Sequence, residues 1–159
     1  EDKPYVAIDK LKKRYSNVEW KHPCIYLKNV TFIDTKFDNL VITYKNEKLV
    51  EATFTLFDNA SVMDNPFKDR ATILSEAKSK QNQIMNRFTQ AFNGLGNAFC
   101  SKYGNPAVSS EGNAIWRDTN SNSITLNVTL NNSQDELGVH FDGILTVTYR
   151  TATTNNDEF

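Results

Sequence analysis

The chain has few of the residues that build metal and redox centres. Among its 159 residues there are two cysteines, Cys24 and Cys100, and two histidines, His22 and His140. The cysteines form no C-x-x-C pair, which excludes the usual zinc and dithiol motifs. Histidine-dependent nucleophilic catalysis has few candidates for the same reason. We therefore expect no metal and no cofactor, and we assign no catalytic residue.

An excess of charge and a long hydrophobic run are lacking as well. Eighteen lysines and arginines are balanced by 19 acidic residues, giving a formal net charge of -1. Proteins that bind the phosphate backbone normally show a basic excess or stripe. No apolar run approaches the roughly 20 residues that cross a bilayer. We predict that the protein has no nucleic-acid partner and no integral membrane segment.

The common signatures of catalysis are also missing. The sequence contains no Gly-x-Gly-x-x-Gly pattern, P-loop, Gly-x-Ser-x-Gly elbow or His-Glu-x-x-His motif. His140 lies near Asp135 and Asp142 along the chain, so a metal site or an acid-base pair is one interpretation. A solvated loop histidine is the more common one. The prediction is a protein that is not an enzyme.

A long amphipathic pattern between 71 and 103 is the most informative stretch. Its apolar side chains recur three and four residues apart, which predicts one helix with an aromatic stripe. Gly104 and Pro106 then give a strong stop signal. The stripe consists of Ile84, Phe88, Ala91, Phe92, Leu95, Ala98, Phe99 and Tyr103.

Alternating segments on either side of this helix predict strands with one apolar face. The segments run from 40 to 56 and from 124 to 149, with a further strand over 25–33 and a short helix over 6–15. The predicted fold is α+β, with an antiparallel sheet of about six strands and one long and one short helix packed on one face. We expect loops over 58–69 and 131–142.

The order of elements is similar in two parts of the chain. We predict one domain over 1–159, in which 5–57 and 84–150 each contain a helix followed by three strands. Sequence identity between these parts is too low to establish a duplication. The helix-plus-three-strand repeat is therefore an alternative within the single-domain prediction.

The strongest binding candidates lie in the segment predicted as a polar tip. Leu137, Val139, His140 and Phe141 make this tip unusually apolar, and Phe141 is the candidate for an exposed anchor. Trp116 alternates with its neighbour on a strand, so it faces either the core or a binding surface.

The state of the two cysteines is open. Cys24 precedes the first predicted strand and Cys100 lies near the end of the long helix, so a disulfide is geometrically allowed. Two separate buried thiols are the slightly favoured alternative.

A family resemblance rests on the helix end Lys102-Tyr103-Gly104-Asn105-Pro106, followed by Trp116 and a threonine-rich hairpin. These residues resemble those of small exported proteins of Gram-negative bacteria. The duplicated layout is similar to that of the β-lactamase-inhibitor-protein-like group and its outer-membrane-assembly lipoprotein relatives. The resemblance implies a periplasmic or surface-exposed module that binds other proteins, with no catalytic residues to carry over.

Export is also favoured by the sequence itself. The chain begins at Glu1 without a basic or apolar leader, so either a targeting segment was removed or the sequence starts internally. Abundant asparagine and threonine favour the first. Our leading hypothesis is a domain that binds a protein partner at the cell envelope. The alternative is a cystatin-like small-ligand or hydrolase-like module, with a cavity between helix and sheet lined by Tyr44, Phe92 and Trp116.

Overall fold

The computed structural model describes residues 3–136 and 138–152. The fold is α+β, with two helices and one antiparallel sheet of eight strands. The elements are α1 (Pro4–Lys12), β1 (Glu19–Lys21), β2 (Cys24–Phe32), β3 (Thr35–Lys45), β4 (Lys48–Met63), α2 (Arg70–Tyr103), β5 (Val108–Ser110), β6 (Asn113–Arg117), β7 (Ser123–Asp135) and β8 (Gly138–Arg150).

The expected number of about six strands is wrong because β1 and β5 are additional edge strands. Each has only three residues, and every one of them is exposed. Three exposed residues are too few to show an alternation of apolar and polar side chains, so no sequence pattern marks them. Each half of the chain is consequently a helix followed by four strands, where three were predicted.

The two halves meet in the middle of the sheet. The strand order is β1-β2-β3-β4-β8-β7-β6-β5, so the last strand of each half pairs with the last strand of the other. The β4 and β8 strands are antiparallel from the pair Glu51–Arg150 to the pair Met63–Gly138. The centre of the sheet is therefore built from residues far apart in sequence.

Strand occupies the first half of the loop predicted over 58–69, and positions 131–135 and 138–142 of the loop predicted over 131–142. The β4 strand continues to Met63, and the second segment forms the ends of β7 and β8. Inward-facing side chains such as Ala60, Val62 and Phe141 alternate with polar ones in these segments. Asn59, Ser61 and the polar residues over 131–135, which favour a loop by composition, lie on exposed positions of regular strands.

The α2 helix packs its aromatic stripe on the sheet. Phe88, Leu95 and Phe99 are buried against residues of β4, β7 and β8, including Leu56, Leu126 and Leu145. Gly143 permits this packing, because a Cβ atom at that position would overlap the Phe88 ring. Full burial of each such side chain contributes about 1.5–3 kcal/mol.

The α1 helix covers the other half of the same face. Ile8 and Leu11 pack against a second cluster that includes Ile25 and Leu40. Phe54 packs against both clusters, which places both helices on one side of the sheet.

The ends of α2 follow the capping signals in the sequence. The Asp69 carboxylate accepts a hydrogen bond from the Thr72 backbone N–H at 2.9 Å. At the other end Gly104 has a φ of 78° and its N–H donates to the Cys100 carbonyl. The Trp116 indole N–H donates to the Gly104 carbonyl at 3.1 Å, which ties this helix end to β6.

In the part of the chain that the structure describes, neither helix combines the length and the apolar character needed to cross a membrane.

Candidate functional site

The face of the sheet opposite the helices is a broad polar surface, which we call the open face. It is formed by the residues of β4, β8 and β7 that alternate with the core residues. Their β-branched and amide side chains lie side by side across the strands, where cross-strand pairs stabilise the sheet. Two adjacent rows are Thr53–Thr148–Thr125 and Thr55–Thr146–Asn127.

An apolar pair lies in the middle of the open face. Phe57 on β4 is directly opposite Ile144 on β8, and Thr129 on β7 is the next residue in the row. Phe57 is 44% exposed and Ile144 is 39% exposed. The backbone N–H of Phe57 donates to the Asp38 carboxylate at 2.7 Å. The pair is therefore held on a fixed backbone while its side chains contact water.

An ion pair lies at the margin of this face. Arg150 and Glu51 form an ion pair at 2.6 Å on adjacent strands. Tyr26 lies further out on β2, and a hydrogen bond with the Cys24 side chain raises its pKa above the ordinary 10.0. Its phenol is therefore protonated at neutral pH. The apolar centre therefore has rows of threonine and asparagine on one side and, in the next row on the other side, the exposed Asp142 carboxylate between Asn59 and Asn131.

The prediction that Phe141 is an exposed anchor is wrong. Phe141 is 6% exposed and belongs to the core cluster beneath α2, because β8 begins at Gly138 and the segment alternates as a strand. Val139 is half-buried against the same cluster. Trp116 is 2% exposed, which confirms the core alternative for that residue. Leu137 lies outside the described residues.

His140 does face the open side, in a short polar cluster. Its Nδ1 is 2.9 Å from the Ser61 hydroxyl oxygen, and its Nε2 is 3.2 Å from Asp135 Oδ1. The second contact is not aligned as a hydrogen bond, and that carboxylate oxygen accepts from the Gly138 N–H. Asp142, the other predicted neighbour, lies in the next row along the face. Among residues 3–136 and 138–152 no three His, Cys, Asp or Glu side chains form a group that could hold a metal.

The two cysteines are not paired. Both are free, with Cys24 half-buried on β2 and Cys100 exposed on α2. The Cys24 sulfur lies 3.6 Å from the Thr43 hydroxyl. The disulfide alternative is therefore wrong, and the alternative of two buried thiols is also wrong for Cys100.

The cavity predicted beneath the long helix is not formed by the three residues expected to line it. Phe92 and Trp116 belong to the core under α2, whereas Tyr44 belongs to the cluster under α1. Tyr44 instead lines a cleft of about 400 Å³ beside α1, which we call the α1 cleft. Its other lining residues are Pro4, Tyr5, Ile8, Trp20, His22, Asn46 and Glu47.

Four of the eight residues that line the α1 cleft carry aromatic rings. The Trp20 ring centroid lies 5.8 Å from that of His22 and 6.4 Å from that of Tyr44, both in edge-to-face geometry. At the rim, Lys3 and Glu47 form an ion pair at 2.8 Å, and the hydrogen bond raises the pKa of Lys3 above 10.5. The cleft can accept an apolar or aromatic group next to polar amide and carboxylate groups.

Sequence reasoning missed the central pair of the open face. Each residue lies next to a core residue, in the doublets Leu56–Phe57 and Ile144–Leu145. Neighbouring residues in a strand point to opposite faces, so an apolar doublet must place one side chain on the face away from the core. That rule is the signal that would have found the pair.

Comparison with known proteins gave no relative. No family model, no curated protein and no solved structure matches this chain. The resemblance to the inhibitor-protein-like group therefore stays a prediction.

Proposed function

We propose that the chain is a non-enzymatic domain of the cell envelope and that its open face binds another protein. The observation that supports this proposal most strongly is the exposed Phe57–Ile144 pair at the centre of a polar sheet. Protein interfaces commonly have an apolar centre with aromatic anchors and a polar rim that excludes water.

The geometry of the sheet favours binding at this place. Phe57 and Ile144 lie on β4 and β8, which pair with each other along their whole common length. Their backbone is ordered before a partner arrives, so binding costs less conformational entropy than it would on a loop. The threonine and asparagine side chains around the pair can donate and accept hydrogen bonds. A partner fits this surface if it places an apolar patch on the pair and a hydrogen-bond donor or a positive charge near Asp142.

Export to the periplasm or cell surface is the second part of the proposal. The support for it is compositional, namely the abundance of threonine and asparagine, together with the resemblance to exported proteins. Fractionation of the native organism, with sequencing of the mature N-terminus, tests this part. Recovery in the envelope fraction with a processed N-terminus is expected, and recovery in the cytoplasm would contradict it.

Site-specific photocrosslinking tests the binding face. A benzophenone amino acid at position 144 should give one discrete crosslinked species in the envelope fraction. The control carries the same group at position 67, because Phe67 is 94% exposed in the segment between β4 and α2. Equal crosslinking from both positions, or none from position 144, would contradict the proposal.

A fluorophosphonate probe tests the absence of serine-hydrolase activity. Ser61 contacts His140, but the His140 Nε2 makes no hydrogen bond with Asp135. A serine nucleophile also needs N–H donors aimed at the developing oxyanion. The adjacent residues Ala60 and Val62 pair with β8 and direct their backbone groups into that ladder. We expect no adduct in intact-mass measurements, and an adduct on Ser61 would contradict this part.

The α1 cleft supports a second candidate function, the binding of a small molecule with an aromatic or apolar group. Trp20 at the cleft reports occupancy, whereas Trp116 is buried in the other cluster. A compound that changes the fluorescence of the wild type but not that of Trp20→Phe would favour this candidate. Unchanged spectra across a panel of indoles, phenols and sugars would count against it.

A further inference from the structure

The outer edge of β7 is an unprotected strand edge. Strand β6 pairs with β7 only from Asn113–Asn127 to Arg117–Ser123, and the Val128 N–H then donates to the Gly112 carbonyl. From Leu130 to Asp135, β8 is the one strand paired with β7 in the described part of the chain. Backbone direction alternates along an antiparallel strand. Leu130, Asn132 and Gln134 therefore direct their N–H and C=O groups outward, as Val128 does.

The edge of β4 at the other side of the same ribbon is protected. Beyond Thr55, β4 has no pairing with β3. Two of its outward groups are bonded by side chains: Asp38 accepts from the Phe57 N–H at 2.7 Å, and Lys80 donates to the Ser61 carbonyl at 2.8 Å. Side chains of this kind prevent another strand from adding to an edge. Within the described residues, the outward backbone groups of Leu130, Asn132 and Gln134 on β7 have no such contact.

The sequence of the β7 edge also lacks the usual protective residues. From Ser123 to Gln134 there is no lysine, no other charged residue and no proline. The register with β8 is uninterrupted, so no bulge turns the edge away. Every residue from Thr129 to Asp135 is exposed. Long exposed edges without these devices are templates for pairing with another strand.

An apolar strip runs along the same side of the molecule in the helical layer. Met85 is 44% exposed and lies beside Leu130, which is 42% exposed, around a small cleft that also includes Ile84. Leu74 is exposed and lies eleven residues before Met85, which places both on one side of α2. The β7 edge thus presents unpaired backbone groups, and α2 presents apolar side chains on the same side of the molecule.

We infer that two copies of this chain associate through the β7 edge. A two-fold axis perpendicular to the sheet and passing by Asn132 makes the two edges antiparallel, with Leu130 opposite Gln134 of the partner copy. Both α2 helices then lie on the same face of the joined sheet, with their apolar strips toward each other. The segment from Leu130 to Gln134 is uncharged, and Asp135 lies opposite Thr129 of the partner copy, so no like charges face each other across the axis. The same surface on both partners is what a two-fold dimer requires.

Sedimentation of the full chain tests the inference. The wild type should be a dimer at about 100 μM, and Leu130→Lys and Asn132→Pro should each raise the dimer dissociation constant by about tenfold or more. Proline is tolerated at an outward edge position, so circular dichroism of Asn132→Pro should match the wild type. Phe67→Lys is the matched control for Leu130→Lys and should leave the dimer intact. A monomeric wild type, or a dimer unaffected by both edge variants, would overturn the inference.

Disulfide crosslinking tests the position of the axis. In a background with Cys24→Ser and Cys100→Ser, oxidation of Asn132→Cys should link two chains, because a hydrogen-bonded pair has a Cα separation of about 5.5 Å. Asn131→Cys is the control: its partner across the axis is Ser133, so two copies of that cysteine lie too far apart. Crosslinking of Asn131→Cys but not of Asn132→Cys would exclude this register.

Discussion

The two faces of the sheet differ sharply although they are made by the same strands. Leu56 and Leu145 point toward α2 and are 2% and 0% exposed. Phe57 and Ile144, their neighbours in sequence, point to the open face and contact water. All four side chains are large and apolar. Burial beneath the helices therefore explains why the inner pair is apolar. Folding gives no comparable reason for an apolar pair on the outer face.

The largest difference in the free energy of unfolding is expected between alanine substitutions at two neighbouring residues of β8. Leu145→Ala removes a fully buried side chain and leaves a cavity, so the free energy of unfolding should fall by about 2–5 kcal/mol. Ile144→Ala on the open face should cost less than about 1 kcal/mol. Urea denaturation of both variants measures the difference. Equal losses would show that the open face contributes to stability as much as the core does.

A second difference in stability is expected between alanine substitutions at two glycines, because only one of them lies where α2 closely approaches the sheet. Gly143→Ala should destabilise the protein by about 1–3 kcal/mol, because its Cβ would overlap the Phe88 ring. Gly94→Ala is the control: it lies within α2, and apart from its chain neighbours and the nearby helix backbone no atom lies within 4 Å of an added Cβ. That substitution should stabilise the helix by up to about 1 kcal/mol. Thermal unfolding of both variants distinguishes the sites, and a neutral Gly143→Ala would contradict the described packing.

Acid should weaken the helical layer through the N-cap of α2. The hydrogen bond from the Thr72 backbone lowers the pKa of Asp69 below 3.8. The stabilisation is therefore complete above pH 3.8 and is lost as the pH falls through the lower folded-state pKa. Asp69→Asn keeps a capping oxygen that does not titrate. Its melting temperature should fall less than that of the wild type between about pH 5 and pH 2. Parallel curves would contradict this role for Asp69.

These contrasts also show what the sequence could predict. The stripe from Ile84 to Tyr103 and the stop at Gly104 predicted the long helix, which the structure places from Arg70 to Tyr103. The α+β class and the antiparallel sheet followed from alternation in the flanking segments. The exposed strands β1 and β5 could not be predicted, because pairing with a neighbouring strand, and not a hydrophobic pattern, defines them.

The candidate site was harder to predict than the fold. The sequence predicts Phe141 as an exposed anchor because it lies in an unusually apolar hairpin tip, but pairing with β4 and β7 turns it toward α2. Which residues form the open face depends on which member of each apolar doublet points toward the core. The helices cover one face of the sheet and so determine that direction, and the local amino-acid composition does not reveal which face they cover.

Competition in the crosslinking experiment tests the central claim most directly. A chain with the benzophenone group at position 144 is mixed with an excess of unlabelled protein, either wild type or Phe57→Ser. If the open face is the binding surface, the wild type should suppress the crosslinked species and Phe57→Ser should suppress it far less, while both melt within about 2–4 °C of each other. Equal suppression by the two competitors would contradict the claim that the exposed pair binds the partner.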